Sequence, residues 1–218
     1  MGQVESLRTK NKFKKTEIGE IPVDWRVVQV KDVCEKPEYG FTASAVEKPI
    51  GPKFLRITDI QDGRVLWNNV PYCKCPDSLK ERYIIRSGNI LFARTGATTG
   101  KSYLIKDCPE AVFASHLIRV VVKEQINSHF LYLVFHSFIY WRQITQQMGG
   151  SAQGGVNASS LANIKIPLPS ILEQKKIAEI LSTVDEAIEK NEEIIEKTKE
   201  LKNGIMQSLL TGNIRVKK

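Results

Sequence analysis

The chain has 218 residues, of which 42% are hydrophobic and 26% charged, and its formal net charge is +8. This composition is typical of a globular protein with one sizeable core, and no apolar run reaches the roughly 20 residues that a membrane span needs. The polar first 15 residues do not resemble a signal peptide. We therefore expect a soluble cytoplasmic protein, with its four cysteines as free thiols.

The cysteines and histidines do not predict a metal site. One residue separates Cys73 from Cys75, whereas a zinc-binding pair usually has two residues between its cysteines. The histidines, His116, His129 and His136, form no HExxH motif or other paired-ligand pattern. We expect neither a metal nor another cofactor.

Charge is distributed unevenly along the chain. Residues 173–202 contain nine acidic and six basic side chains, a net charge of −3, so the rest of the chain carries +11. A basic domain followed by an acidic helical segment favours polyanion contact through the domain and protein contact through the helix.

In chain order, residues 1–15 are predicted to be a flexible basic arm and residues 16–169 a globular domain. Residues typical of strands occur in short runs, at 53–60, 89–94, 111–114, 117–123 and 163–166. Turn pairs such as Asp62-Gly63 and Ser87-Gly88 separate these runs. The predicted fold class is α+β, with a β-rich mixed globular domain followed by one long coiled-coil-forming α-helix.

One helix is predicted to interrupt the strands. It starts at Asn127 or Ser128 and ends at Gly149-Gly150. Large apolar residues share one face at helical spacing, namely Phe130, Leu131, Val134, Phe138, Trp141 and Ile144. This face is interpreted as core and not as a platform for stacking bases.

A much longer helix is predicted for residues 170–212, followed by a tail at 213–218. Ser170 and Glu173 have the spacing of a capping box, Pro167 and Pro169 exclude an earlier start, and Gly212 is typical of a position just past a helix end. At about 1.5 Å per residue, such a rod would be about 60 Å long.

The apolar residues of this helix recur at spacings of three and four, which is typical of a coiled coil. Asn191 and Thr198 interrupt the stripe, and an Asn in such a position costs stability while fixing register and partner number. The residues predicted to mediate dimerisation are Leu181, Val184, Ile188, Asn191, Ile195, Leu201 and Ile205. A long surface helix packed on its own domain is the alternative interpretation.

No motif predicts catalysis. Gly96 to Ser102 resembles a phosphate-binding loop but has three residues between its glycines, whereas a P-loop has four. The segment Asn69-Val70-Pro71-Tyr72 differs from the methyltransferase Asn-Pro-Pro-Tyr motif at Val70. Asp77, Lys80 and Glu81 do not form a convincing metal-binding triad.

Several segments, in this order, resemble the specificity subunit of type I restriction-modification systems, over residues 16–216. The matching sequences are TEIGEIPVDW at 16–25, FLRITDI at 54–60, SGNILFARTGATTGK at 87–101, GSAQ at 150–153, IPLP at 166–169, EQKKIA at 173–178 and LLTG at 209–212. The resemblance implies a non-catalytic subunit. Its target recognition domain would read half of a bipartite DNA sequence, and its helix would hold methyltransferase subunits and set the spacing between half-sites.

A full-length subunit of this family has two recognition domains and two antiparallel helices, whereas this chain has one of each and is interpreted as a half-subunit. We therefore expect two copies to pair their helices head to tail, which predicts an interrupted palindrome as target. The expected partners are double-stranded DNA, methyltransferase (modification) subunits, a second copy and, further, a restriction/translocase subunit.

DNA contacts are expected from loop residues that can donate to phosphates or to base edges. The candidates are Tyr39, Phe41, Thr42, Arg94, Thr95, Thr98, Lys101, Ser151, Gln153 and Asn157. For each, a role in shaping a turn or holding the fold is the alternative. A second alternative is that the glycine-bounded loops are structural or face the methyltransferase, which would leave base reading to residues 35–52 and 66–82.

Two other functions stay open at this point. The chain would be a regulatory half-subunit if it exchanged with a full-length subunit and so altered or silenced its specificity. It would be a fragment of an enzyme if its catalytic domain lay on a separate chain or had been lost, and would then bind DNA specifically without a partner.

Overall fold

The computed structural model describes residues 12–61, 63–149 and 155–216. The chain divides into two compact units between Lys175 and Lys176, here called the domain unit and the helical unit. The helices are α1 (Val30–Val33), α2 (Asp77–Tyr83), α3 (Ser128–His136), α4 (Phe138–Gly149), α5 (Ala158–Ala162) and α6 (Ile171–Leu210).

The strands of the described residues all belong to the domain unit and are short. They are β1 (Phe13–Thr16), β2 (Gly19–Pro22), β3 (Arg26–Gln29), β4 (Glu38–Tyr39), β5 (Ala45–Val46), β6 (Lys53–Leu55), β7 (Ile60–Gln61), β8 (Arg64–Val65), β9 (Tyr72–Cys73), β10 (Ile90–Ala93), β11 (Ser102–Leu104), β12 (Ala111–Phe113), β13 (Leu117–Val120) and β14 (Lys165–Leu168).

Two four-stranded sheets form the centre of the domain unit. The first has the antiparallel order β11-β10-β13-β4, and every residue of β10 is buried. The second has the order β12-β6-β9-β5, with β12 parallel to β6. A continuous apolar run such as Ile90–Ala93 is expected in a strand covered on both faces. The core therefore lies on β10 and its neighbours.

The remaining strands form two-stranded ladders. β14 pairs with β3, which brings the segment just before α6 beside the domain entrance, and β7 pairs with β8 through a turn in which Gly63 has φ +71°. β1 pairs with β2 in a hairpin that includes residues 13–15. The predicted end of the flexible arm at residue 15 was therefore wrong. Residues 1–11 lie outside the described residues.

The strand predicted at residues 53–60 was too long. It stops after Leu55, and Ile57–Asp59 forms a 3-10 turn before β7 begins at Ile60. The cause is local, since Asp59 Oδ2 accepts a hydrogen bond from the Arg56 backbone at 2.8 Å and the two side chains form a salt bridge at 2.7 Å. An aspartate that bonds nearby backbone favours a turn over a strand.

The single helix predicted from residue 127 to residue 149 is two helices. Ser137 between them is extended (φ −80°, ψ 161°), and its hydroxyl donates to Val134 O at 2.6 Å. The break turns Phe138 out to solvent, 73% exposed, whereas Tyr140 and Ile144 of α4 are fully buried. The prediction that Phe138 shares the core face was therefore wrong.

The long helix begins and ends close to the predicted residues. Ser170 Oγ accepts from the Glu173 backbone N–H at 3.3 Å, and Gly212 follows the last turn with φ +76°. The Glu173 carboxylate, predicted to close a capping box, accepts from Trp25 Nε1 at 3.1 Å. Among the described residues, none of the helices is both long and apolar enough to cross a membrane.

Candidate nucleic-acid interface

The loop between β10 and β11, residues 94–101, is called the glycine loop. Three of its backbone amides bond within the loop and its flanking strand: Thr99 N to Gly96 O at 3.1 Å, Gly100 N to Ala93 O at 2.9 Å and Lys101 N to Thr98 O at 2.9 Å. A P-loop needs such amides directed at phosphates. These three amides are therefore not directed at a ligand, and the spacing of the glycines remains the argument against a P-loop.

The glycine loop is exposed at both ends and buried at Thr99 and Gly100. Arg94, Thr95 and Lys101 are exposed and Thr98 is half-buried, whereas Gly100 is buried. Gly100 has φ +84° and accepts a hydrogen bond from the Tyr140 hydroxyl at 2.7 Å. A side chain at Gly100 would be strained and would meet the Trp141 ring at 3.4 Å. The loop is thus held against α4 and presents its cationic ends to solvent.

Arg94 lies where three segments meet. Its guanidinium carbon is 4.7 Å from the centroid of the Tyr39 ring, within cation–π distance. The Tyr39 hydroxyl accepts from Ala158 N at 3.1 Å, and Arg94 O accepts from Val156 N at 3.1 Å. We call Tyr39, Arg94 and the segment 155–158 the Tyr39–Arg94 surface. Tyr39 remains 40% exposed, so this surface has an aromatic ring, a cation and open space beside them.

Two other candidates have structural contacts. Asn157 caps α5, since its Oδ1 accepts from Ser160 N at 2.8 Å. The Phe41 ring is half-buried, lies 5.3 Å from the Tyr83 ring and packs on a core cluster that includes Phe54 and Val112. Phe41 and the Asn157 cap thus have fold-holding contacts, which leaves their expected DNA contacts as predictions.

Of the three remaining candidates for DNA contact, the structure describes only Thr42. Thr42 is exposed beside Phe41, on the segment between β4 and β5. Ser151 and Gln153 lie outside the described residues.

The sequence did not single out the residues that hold Tyr39 in position. Arg119 on β13 forms a salt bridge with Glu38 at 2.6 Å and donates to Ile84 O and Arg82 O, both at 2.8 Å. Glu38 directly precedes Tyr39 on β4. The only signal in the sequence was that Arg119 interrupts an otherwise apolar strand. That pattern does not indicate which carboxylate the arginine will pair with.

The helical unit carries the predicted dimerisation residues on a solvent-exposed stripe. The exposed fractions run from 40% at Leu181 to 64% at Leu201, with Val184, Ile188, Ile195 and Ile205 in between. Asn191 and Thr198 bond their own helix, to Ala187 O at 2.8 Å and Ile194 O at 2.7 Å. Ile180, Ile194, Met206 and Leu209 widen the stripe beyond a narrow seam.

Cys34 and Cys73 are buried thiols of the domain unit. Burial raises the pKa of Cys34 to about 12 and that of Cys73 to about 11, so both remain protonated near neutral pH. Among the described residues, no three His, Cys, Asp or Glu side chains are grouped so that they could hold a metal ion.

Comparison with known proteins gives the family. The model of the type I restriction modification DNA specificity domain matches residues 22–200. The chain belongs to this family. It is 33% identical to the type I restriction enzyme MjaVIII specificity subunit of Methanocaldococcus jannaschii, over 99% of this chain and 53% of that protein. It is 24% identical to the EcoDI specificity subunit of Escherichia coli, over 88% of this chain and 38% of that protein.

Solved structures of this family share the fold. One, from work on complex assembly and conformational transition of the type I R-M system, matches with a TM-score of 0.67 and 18% identity over 90% of this chain and 48% of that chain. The HsdS subunit from Thermoanaerobacter tengcongensis matches with a TM-score of 0.59 and 17% identity over 81% and 41%. The specificity-family chain described here thus spans about half the length of the relatives it matches.

Proposed function

We propose that this chain is a non-catalytic DNA-recognition subunit of a type I restriction-modification complex, and that it reads one half of a bipartite target. The observation that carries the proposal is the Tyr39–Arg94 surface, where an exposed guanidinium is oriented by an aromatic ring beside an open loop. Arginine is the side chain that most often contacts guanine edges and phosphates. Family membership and the named specificity subunits among the relatives support the same role.

Charge supports DNA as the ligand of the domain unit. The domain unit, residues 1–175, has 24 basic and 16 acidic side chains and so carries the whole net charge of +8. Neutralising DNA phosphates with lysine and arginine releases counterions, which gives sequence-independent affinity. The exposed Arg94 and Lys101 lie at the two ends of the glycine loop. Base reading then falls to Arg94 and to side chains of the segments 35–52 and 66–82, where Ile50 and Leu66 are exposed.

The exposed stripe of α6 supports pairing with a second copy. An amphipathic helix of 40 residues gains most of its stability from packing its apolar face. Two antiparallel copies would cover the line from Leu181 to Ile205 and put two identical readers at opposite ends, which predicts an interrupted palindrome as target.

A stripe wider than the two positions per heptad of a simple coiled coil suits contact with more than one neighbouring helix. We assign that additional contact to the methyltransferase subunits. In this proposal residues 16–169 form the recognition domain and residues 170–212 the pairing and docking helix.

The experiment is a map of adenine methylation in cells that carry the neighbouring methyltransferase gene, with and without this chain. The expected result is an interrupted palindrome that is methylated only when the chain is present. An Arg94→Ala chain serves as the site variant, and Lys106→Gln, which removes an exposed cation outside the glycine loop, as its matched control. Methylation that does not depend on the chain would contradict the proposed function.

A regulatory half-subunit is the second candidate, because the same exposed stripe on α6 could pair with the helix of a full-length specificity subunit. In cells that hold both proteins, this function predicts loss or change of an asymmetric bipartite motif. Mass measurements on the purified mixture distinguish homodimers from mixed pairs.

A further inference from the structure

A cleft of about 620 Å³ opens in the domain unit beside the glycine loop. Its sides come from the 3-10 turn and the β7–β8 hairpin, from β10 and β11, and from the junction of α3 and α4. The glycine loop contributes Thr98 and Lys101, whereas neither Arg94 nor Tyr39 lines the cleft. It is therefore separate from the Tyr39–Arg94 surface, although one loop joins the two.

The interior of the cleft is apolar and aromatic. Leu91 and Phe135 are buried residues that contribute to its lining, and the half-buried rings of Tyr103 and Trp141 also face on it. Burial raises the pKa of Tyr103, so its phenol stays neutral. Flat aromatic surfaces in an enclosed space favour a planar ring over a flexible aliphatic chain.

Trp141 is held in its position before any ligand arrives. Its ring packs against Gly100, where an added Cβ would lie 3.4 Å away, and it meets the Tyr140 ring edge-on at 5.4 Å and 71°. The Tyr140 hydroxyl in turn bonds Gly100 O. A ring fixed in this way offers a stacking surface without the entropy cost of ordering it on binding.

The cleft is also lined by polar side chains that can accept a hydrogen bond and by one ammonium group. His136 Nδ1 lies 3.0 Å from Tyr132 O, which can only accept, so Nδ1 donates to it and Nε2 is the ring nitrogen left for a ligand. Gln61 Nε2 donates to Thr58 O at 3.2 Å, which leaves its Oε1 as an acceptor. Lys101 supplies an exposed ammonium, and no carboxylate of the described residues lies within salt-bridge distance of it.

We propose that this cleft receives one amino-bearing nucleobase turned out of the bound duplex, an inference that rests on the proposed function. Trp141 and Tyr103 stack on the base, His136 Nε2 and Gln61 Oε1 accept from its exocyclic amine, and Lys101 contacts the adjoining phosphate. Stacking on aromatic rings offsets only part of the free-energy cost of unpairing the base. The polar contacts therefore have to supply the difference. A free nucleotide has the same ring, amine and phosphate, so the test must distinguish the two sources.

The experiment measures the affinity of the full chain, assembled with its methyltransferase subunits, for duplexes in which each base pair of the target is mismatched in turn. At one position the mismatch should tighten binding roughly tenfold, because the cost of unpairing has already been met. His136→Ala and Trp141→Leu should abolish this gain. Since His136 is exposed, its variant keeps the test valid if Trp141→Leu fails to fold. Lys106→Gln, outside the cleft, should retain the gain.

Any of four results would overturn the inference. If specific binding occurs but every mismatch weakens it, or if the gain persists in both cleft variants, the cleft takes no base and the proposed function still stands. If adenosine monophosphate binds the cleft while mismatched duplexes show no gain, the cleft is a site for free nucleotides. If no duplex is bound specifically, the proposed function fails together with the inference.

Discussion

The domain unit and the helical unit differ in what covers their apolar residues. In the domain unit, Ile90, Leu91 and Phe92 of β10 are at most 1% exposed, because neighbouring strands and helices of the same unit pack on both faces. On α6, the predicted dimerisation residues are 40% to 64% exposed. The domain unit therefore contains its own core, whereas the apolar face of α6 is left exposed, as the proposed pairing of two copies would require. Substitutions in the two units should accordingly change different measurements.

The largest effect is expected from two charges on the stripe of α6. Leu181→Lys with Ile188→Lys would put four unpaired charges into a pair of helices, which we expect to weaken pairing by on the order of 5 kcal/mol. Analytical ultracentrifugation should give monomers, and thermal unfolding of the domain unit should be unchanged. Glu186→Lys with Glu193→Lys, away from the stripe, is the matched control. Undiminished pairing of the stripe variant would contradict the proposed interface.

The second-largest effect is expected from a substitution in the core of the domain unit. Phe92 is fully buried and its ring meets Phe135 edge-on at 4.8 Å, so Phe92→Ala should destabilise the domain unit by about 3–5 kcal/mol. Denaturant unfolding followed by tryptophan fluorescence measures this. Phe138→Ala, at an exposed ring, should cost far less. If the two variants lost equal stability, the assignment of Phe138 to the surface would be wrong.

A smaller effect is expected where α6 begins. Gln174 is fully buried, accepts from Asn127 N at 2.8 Å and donates to Pro169 O at 3.0 Å and Gln125 O at 3.3 Å. Gln174→Leu would leave these buried and partly buried backbone groups without their side-chain partner, at a cost of about 2 kcal/mol. Urea unfolding of the domain unit is the measurement, with Lys175→Ala as control. A neutral result would mean that the backbone groups find other partners.

The smallest change in free energy is expected at the Tyr39–Arg94 surface. Arg94→Ala should weaken specific DNA binding by about 1 kcal/mol and leave the unfolding free energy unchanged, since Arg94 is exposed. Binding isotherms at several salt concentrations separate two roles. A change confined to one base position indicates base reading, and a uniform loss with a shallower salt dependence indicates a phosphate contact.

Sequence reasoning succeeded where structure depends on neighbours along the chain. Ser170 and Gly212 delimit α6 within one or two residues, and the buried run at 89–94 became β10. It failed at Ser137, because the apolar spacing continues from Phe130 to Ile144 and gives no sign that a serine hydroxyl will end one helix. It also missed α2, a helix of seven mostly polar residues that follows Pro76.

The candidate site was only partly predictable for the same reason. The sequence singled out Tyr39, Arg94 and Asn157 separately as loop residues. It had no means of indicating that Arg94 lies over the Tyr39 ring or that the Tyr39 hydroxyl bonds Ala158 N, 119 residues further along the chain. The cap formed by Asn157 could have been found from its spacing to Ser160.

By itself, the sequence determined the α+β class, the basic domain, the bounds and stripe of α6 and the family, because composition, periodicity and capping are local properties. The tertiary structure alone decided which loops meet at the Tyr39–Arg94 surface, which amides of the glycine loop are occupied and where the aromatic cleft opens. Those features depend on contacts between residues far apart in the chain, whose pairing follows from how strands and helices pack and not from any segment considered alone.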